Sequence, residues 1–143
     1  MSAIVIARPG TDDEILATRE LMLKLRPNVP PDEYLSTVRR MMQRDGYRLV
    51  MLSEHGRVRA VAGFRFMEML YTGRILYVDD LITDESQRSR GFGKALLDWL
   101  KDRAREHGSE EMHLDSGVQR TDAHRFYFRE RMVIGAYHFR MPL

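Results

Sequence analysis

The chain has 143 residues, 43% of them hydrophobic, which suits one domain with a real core; the reading is a single domain over 1–143. It holds no cysteine, which excludes disulfides, thiolate nucleophiles and cysteine-ligated zinc together. The formal net charge is only +2, and no long Lys/Arg block accompanies it, so nucleic acid is not expected as a partner.

In chain order, Ala3–Arg8 reads as a first strand, ended by Pro9-Gly10. Thr11 stands three residues before Glu14, a capping-box pattern, and a helix is predicted from there to about Lys24. Pro27–Pro31 breaks it. A second helix begins near Asp32, carries Tyr34, Leu35, Val38, Met41 and Met42 on one face, and ends at Gly46. Tyr47–Ser53, Val58–Leu70 and Arg74–Thr83 read as strands joined by turns at Glu54–Arg57 and Tyr71–Gly73, an antiparallel meander. Asp84–Arg90 is polar. In Gly91–His107, residues Phe92, Ala95, Leu96, Trp99 and Leu100 follow helical spacing, and Gly108 stands in the C′ position. Glu111–Gly117 reads as a strand, Thr121–Arg131 as a helix and Val133–Met141 as a closing strand. The order β-α-α-β-β-β-α-β-α-β implies an α/β domain with a mixed, mainly antiparallel sheet and helices on both faces. No apolar run approaches the ~18 residues of a membrane span, and no signal peptide is apparent, so a cytoplasmic protein without a membrane partner is expected.

The strongest chemical signal lies between Thr83 and Lys94. A strand ends, a polar loop turns, and an amphipathic helix starts on Gly91 and Gly93. The first N–H groups of a helix have no partners within it, and they lie at the positive end of its dipole, which suits a phosphate. Glycines let a phosphate approach the backbone, and Arg88, Arg90 and Lys94 add positive charge. A Walker A loop does not fit, because Ala95 follows Lys94. A Rossmann fingerprint would come early, in a βαβ unit, whereas these glycines follow a meander.

Gln87-Arg88-Ser89-Arg90-Gly91-Phe92-Gly93 matches the [QR]-x-x-G-x-[GA] signature of the GNAT superfamily of N-acetyltransferases, with Arg88 and Gly91 in register. Val78–Thr83 resembles that family's fourth strand, and Ala123-His124-Arg125-Phe126-Tyr127 its A-x-x-[LF]-Y segment. The element order agrees over essentially the whole chain, and Val118–Tyr127 looks most like aminoalkylphosphonate-type and other small-amine members. The resemblance implies a GNAT-like fold and transfer of the acetyl group of acetyl-CoA to a primary amine, most simply of a small molecule, by direct attack in a ternary complex. It implies that the main chain of Leu81, Ile82 and Thr83 pairs with the pantetheine arm, that Arg88, Ser89, Arg90, Gly91, Phe92, Gly93 and Lys94 take the pyrophosphate, and that Phe126 flanks the lower cofactor arm. It also implies Tyr127 as the acid that serves the departing sulfur.

A free alkylamine, with a pKa near ~10.4, is charged at neutral pH and must lose a proton before it attacks. Asp79 and Asp80 are the candidate bases. On a regular strand they face opposite sides of the sheet, so one alone would enter a given cleft. The resemblance favours Asp79; Asp80 and Glu68 stay open. No metal is expected: the five histidines show no zinc-site spacing. Two positions depart from the family pattern. Arg120 stands where an asparagine is common, and Arg131-Met132 where Gly-Phe is usual. Two alternatives stay open: a protein lysine or N-terminal acetyltransferase, and a non-catalytic acetyl-CoA sensor. Relatives often pair, which leaves a homodimer open.

Overall fold

A computed structural model describes residues 3–143. They fall into two compact units, the first ending at His113 and the second running Leu114–Leu143.

In the first unit, strand β1 (Ile4–Ala7) is followed by helices α1 (Asp12–Leu16), α2 (Arg19–Leu25) and α3 (Tyr34–Asp45). The capping box forms: Thr11 accepts from the Glu14 N–H, and the Glu14 carboxylate accepts from the Thr11 N–H. The predicted first helix is in fact two. The buried Thr18 hydroxyl donates to the Ile15 carbonyl at 2.6 Å and meets the Tyr34 hydroxyl at 2.8 Å, and this side-chain bond competes with the helical ladder where α1 stops. Gly46 ends α3 where the sequence places its end, and does so in the left-handed conformation, at φ 69°.

Strands β2 (Arg48–Glu54), β3 (Arg57–Met69) and β4 (Gly73–Thr83) form the antiparallel meander. Glu54 pairs with Arg57, and His55 and Gly56 both have positive φ, the two-residue turn whose twist suits a hairpin. Helix α4 (Phe92–Glu106) and strand β5 (Glu111–Leu114) follow, and the sheet order is β1-β2-β3-β4-β5. One sheet face meets α1–α3 through a buried cluster that includes Ile15, Leu21, Tyr34, Val38, Tyr47, Leu49 and Val61. The other meets α4, where Phe64 packs edge-on to Trp99 and Leu96, Leu97 and Leu100 are fully buried. These helices on both faces of a mainly antiparallel sheet are the arrangement the element order implied.

In the second unit, α5 (Thr121–Arg129) is shorter than predicted and ends two residues before Arg131. Arg131 lies at φ 66°, a left-handed conformation that glycine adopts more readily. The strand expected over Val133–Met141 is not formed. Its alternation suits a strand, but a strand exists only when a neighbour accepts its ladder, and the sheet ends at β5. The strand expected over Glu111–Gly117 stops at Leu114.

Candidate functional site

β4 departs from regular pairing at one place. Phe64 pairs with Val78 and Gly63 with Asp80, which leaves Asp79 as an extra residue, a β-bulge. The bulge corrects the expectation that Asp79 and Asp80 face opposite ways, because the inserted residue breaks the two-residue alternation. Both carboxylates now join one cluster on the α2–α3 face. Asp79 accepts two bonds from Arg65, at 3.0 Å and 2.5 Å. Asp80 accepts from Arg26 Nε at 2.8 Å and from the Tyr47 hydroxyl at 2.7 Å. Arg26 also donates to the Asp79 carbonyl at 2.7 Å, and the Arg65 guanidinium lies over the Tyr47 ring.

The electrostatics of the cluster are set by burial. Desolvation pushes the Asp79 carboxyl above the usual aspartate value, although Arg65 and Arg26 pull the other way. The same pairing raises Arg65. Burial first, then the neighbouring Asp80 charge, pushes the Tyr47 phenol well up, so Tyr47 stays a donor. Tyr47 fits there because Gly63, opposite the bulge, has no side chain to obstruct it. The sequence reading missed Arg26, Tyr47 and Arg65; they come from α2–β3 and meet Asp79 and Asp80 only through tertiary packing.

Beyond the bulge, Leu81, Ile82 and Thr83 pair with Ala62, Val61 and Ala60 of β3. On the other side of β4, β5 has four residues against eleven, and it joins near Arg74, whose carbonyl accepts from the Glu110 N–H at 2.8 Å. The Leu81–Thr83 edge therefore lies past the reach of β5, and an extended ligand arm can add to it by main-chain pairing.

The polar loop then turns into α4. Gly91 caps the helix at φ 80° with no side-chain bond, and the first helical bond is from the Ala95 N–H to the Gly91 carbonyl, at 2.9 Å. The Phe92, Gly93 and Lys94 N–H groups thus precede the internal ladder. A Cβ built on Gly91 meets nothing within 4 Å, so an anion has room to approach. This corner fits a diphosphate. Arg88 and Lys94 form exposed pairs with Glu85 and Asp98. Arg90 behaves differently: its guanidinium grips the carboxylate of Glu54, which is 3% exposed, at 2.8 Å and 2.6 Å. Glu54 had been read only as a turn residue. Its parity gives it away, since it shares a strand face with Val50 and Leu52, both fully buried.

Residues 15–132 match the family model for GNAT acetyltransferases. The chain belongs to the GNAT acetyltransferase family. It is 37% identical over 124 residues to an uncharacterised N-acetyltransferase of Bacillus subtilis, YhdJ, which covers 86% of this chain and 87% of that protein. A shorter match, 38% over 53 residues, is to an aminoalkylphosphonate N-acetyltransferase of Salmonella typhimurium and covers 37% of this chain and 34% of the relative. The fold is shared with an aminoglycoside N-acetyltransferase solved in complex with CoA, at a TM-score of 0.87 and 16% identity over 100% of this chain and 96% of that one. It is shared also with a ribosomal-protein-alanine N-acetyltransferase of Brucella melitensis, at 0.82 and 20% over 99% and 100%. This GNAT protein is thus an acetyltransferase with acetyl-CoA as co-substrate. Its second unit carries Phe126 and Tyr127 on α5, with their rings 5.5 Å apart. Arg120 is the N-cap of α5 and makes no capping bond, a task an asparagine there could perform. Among the described residues no helix is long and apolar enough to cross a membrane.

Proposed function

We propose that this acetyltransferase acts on the primary amine of a small molecule, by direct attack in a ternary complex. The observation that carries this reading is the charge balance beside the bulge. Asp79 is neutralised by Arg65 and Asp80 by Arg26, so the cluster offers no acidic strip for a basic peptide. It offers a compact set of paired, partly buried polar groups instead. The short match to an aminoalkylphosphonate N-acetyltransferase points the same way.

In this reading the Leu81–Thr83 edge takes the pantetheine arm, and the main chain at the start of α4 takes the pyrophosphate. The co-substrate supplies an activated acetyl group. Asp79 removes the ammonium proton, directly or through water, and burial favours that task by holding its pKa above the usual aspartate value. Asp80 orients the amine, and Tyr127 donates its phenolic proton to the departing sulfur. In this reading the protein works in the cytoplasm, alongside its co-substrate.

The test is a melting curve with acetyl-CoA, then an amine screen read by free thiol. Acetyl-CoA at a hundred times its Kd should stabilise the protein by about 2.7 kcal/mol. Small amines, including an aminoalkylphosphonate, should release thiol faster than a lysine-containing peptide or a peptide N-terminus. The opposite ranking would overturn the acceptor assignment, and an unmoved melting curve would overturn the binding site.

A further inference from the structure

We infer that Glu54 is a positioning residue for co-substrate binding, and that it acts by holding Arg90 away from the phosphates rather than offering it to them. The inference rests on the pyrophosphate reading given above.

The grip is two-pronged, with Arg90 Nη1 on Glu54 Oε1 at 2.8 Å and Nη2 on Oε2 at 2.6 Å. The burial is unequal: the Glu54 side chain is 4% exposed and that of Arg90 40%. Removing Arg90 to serve a phosphate would weaken the compensation of a desolvated carboxylate, which is costly. Arg90 is also tied on its other sides. Its Nη1 donates to the Gln87 side-chain oxygen at 2.5 Å, and its guanidinium lies 4.7 Å from the centre of the Phe92 ring, in the first turn of α4. Its chain neighbours Ser89 and Gly91 are both left-handed, at φ 68° and 80°, so Arg90 pins the strained part of the loop.

The same carboxylate reaches the loop's beginning. Arg59 Nε lies 3.5 Å from Glu54 Oε1, and Arg59 Nη1 is 3.4 Å from Asp84. The Asp84 N–H donates to the Arg59 carbonyl at 2.8 Å, and its carboxylate caps the short turn Glu85–Gln87. One buried acid therefore clamps both ends of the seven residues 84–90, through Arg59 and through Arg90. Released from the phosphates, Arg90 sets the loop so that main-chain N–H groups form the cradle, a ready-made arrangement that lowers the cost of binding.

The test measures CoA affinity calorimetrically in wild type, Glu54→Gln, Arg90→Gln and the double variant, with hydrogen exchange of the amides at 88–93 alongside. The clamp predicts that each single change weakens CoA by roughly tenfold or more, and that the double variant is no worse than the weaker single one, because both remove one interaction. It also predicts faster exchange at 88–93 in each variant without CoA. A directly phosphate-binding Arg90 predicts otherwise: Glu54→Gln frees it and leaves or improves affinity, while Arg90→Gln weakens CoA on its own. That pattern overturns the inference. Should Glu54→Gln not fold, Arg90→Gln decides through exchange, and an unchanged rate at 88–93 overturns the clamp. Wild-type protein that shows no slowing at 88–94 with CoA sinks the pyrophosphate site, while the CoA-free exchange arm still judges the clamp.

Discussion

Replacing Gly63 by alanine places a methyl group where Tyr47 already stands. The added Cβ would lie 1.9 Å from the Tyr47 hydroxyl oxygen, 2.4 Å from Cζ and 2.6 Å from Cε1. Ordinary contact begins at 3.4 Å, so the ring must withdraw by more than an ångström. Tyr47 is 4% exposed, so its ring moves only by displacing packed neighbours. Overpacking of this kind costs about 1–3 kcal/mol. Withdrawal also breaks the bond to Asp80, a hydrogen bond to a charged group worth about 1.5–3 kcal/mol. Together these predict a loss of roughly 2.5–6 kcal/mol. Urea titration followed by the fluorescence of Trp99, the single tryptophan, is a direct assay, since that ring packs on Phe64 next to Gly63. With a urea slope of about 1–3 kcal/mol/M, the midpoint should fall by more than about 1 M. Tyr47→Phe, which loses the bond without the clash, should cost less, and Tyr47→Ala should make the alanine at 63 nearly harmless. A loss below about 1 kcal/mol, or strict additivity of the two changes, would refute the close packing of Tyr47 across the bulge.

Two other expectations concern the chemistry. Burial raises the Asp79 pKa in the folded protein, so the folded state favours the protonated acid. That contribution to stability is full below the ordinary aspartate pKa and is lost as pH rises through the raised one. Asp79→Asn should remove this part of the pH dependence of stability and flatten the acid limb of the rate profile. An acid limb that persists unchanged would take Asp79 out of the role of base. Tyr127→Phe should lower turnover by about a hundredfold and leave the Kd for CoA nearly unaltered. Full turnover in that variant would remove the phenol from proton delivery.

What could be read beforehand was whatever depends on near neighbours in the chain. The capping box at Thr11 and Glu14, the turn at His55-Gly56, the left-handed ends at Gly46 and Gly108 and the apolar stripe from Phe92 are local, and each stands where expected. The places that differed depend on partners far away in sequence. Thr18 breaks a helix where its hydroxyl meets that of Tyr34, sixteen residues further on, inside the core. Asp79 becomes an insertion only relative to the register of β3. The stretch Val133–Met141 alternates as a strand does, but alternation does not supply a partner for the ladder. Arg131 is an intermediate case. The missing glycine was visible as a departure from the family pattern, while the left-handed backbone that glycine would suit was not.

The bulge sets a phase for everything downstream. Were the same residues to pair without the bulge, Asp79 would stand opposite Gly63, and every side chain from Asp80 onward would move to the next β3 partner and swap sides of the sheet. The hairpin loops can change length with local consequences alone. β4 has such latitude only at the bulge, where losing Asp79 would leave Asp80 opposite Gly63 and Leu81 opposite Ala62.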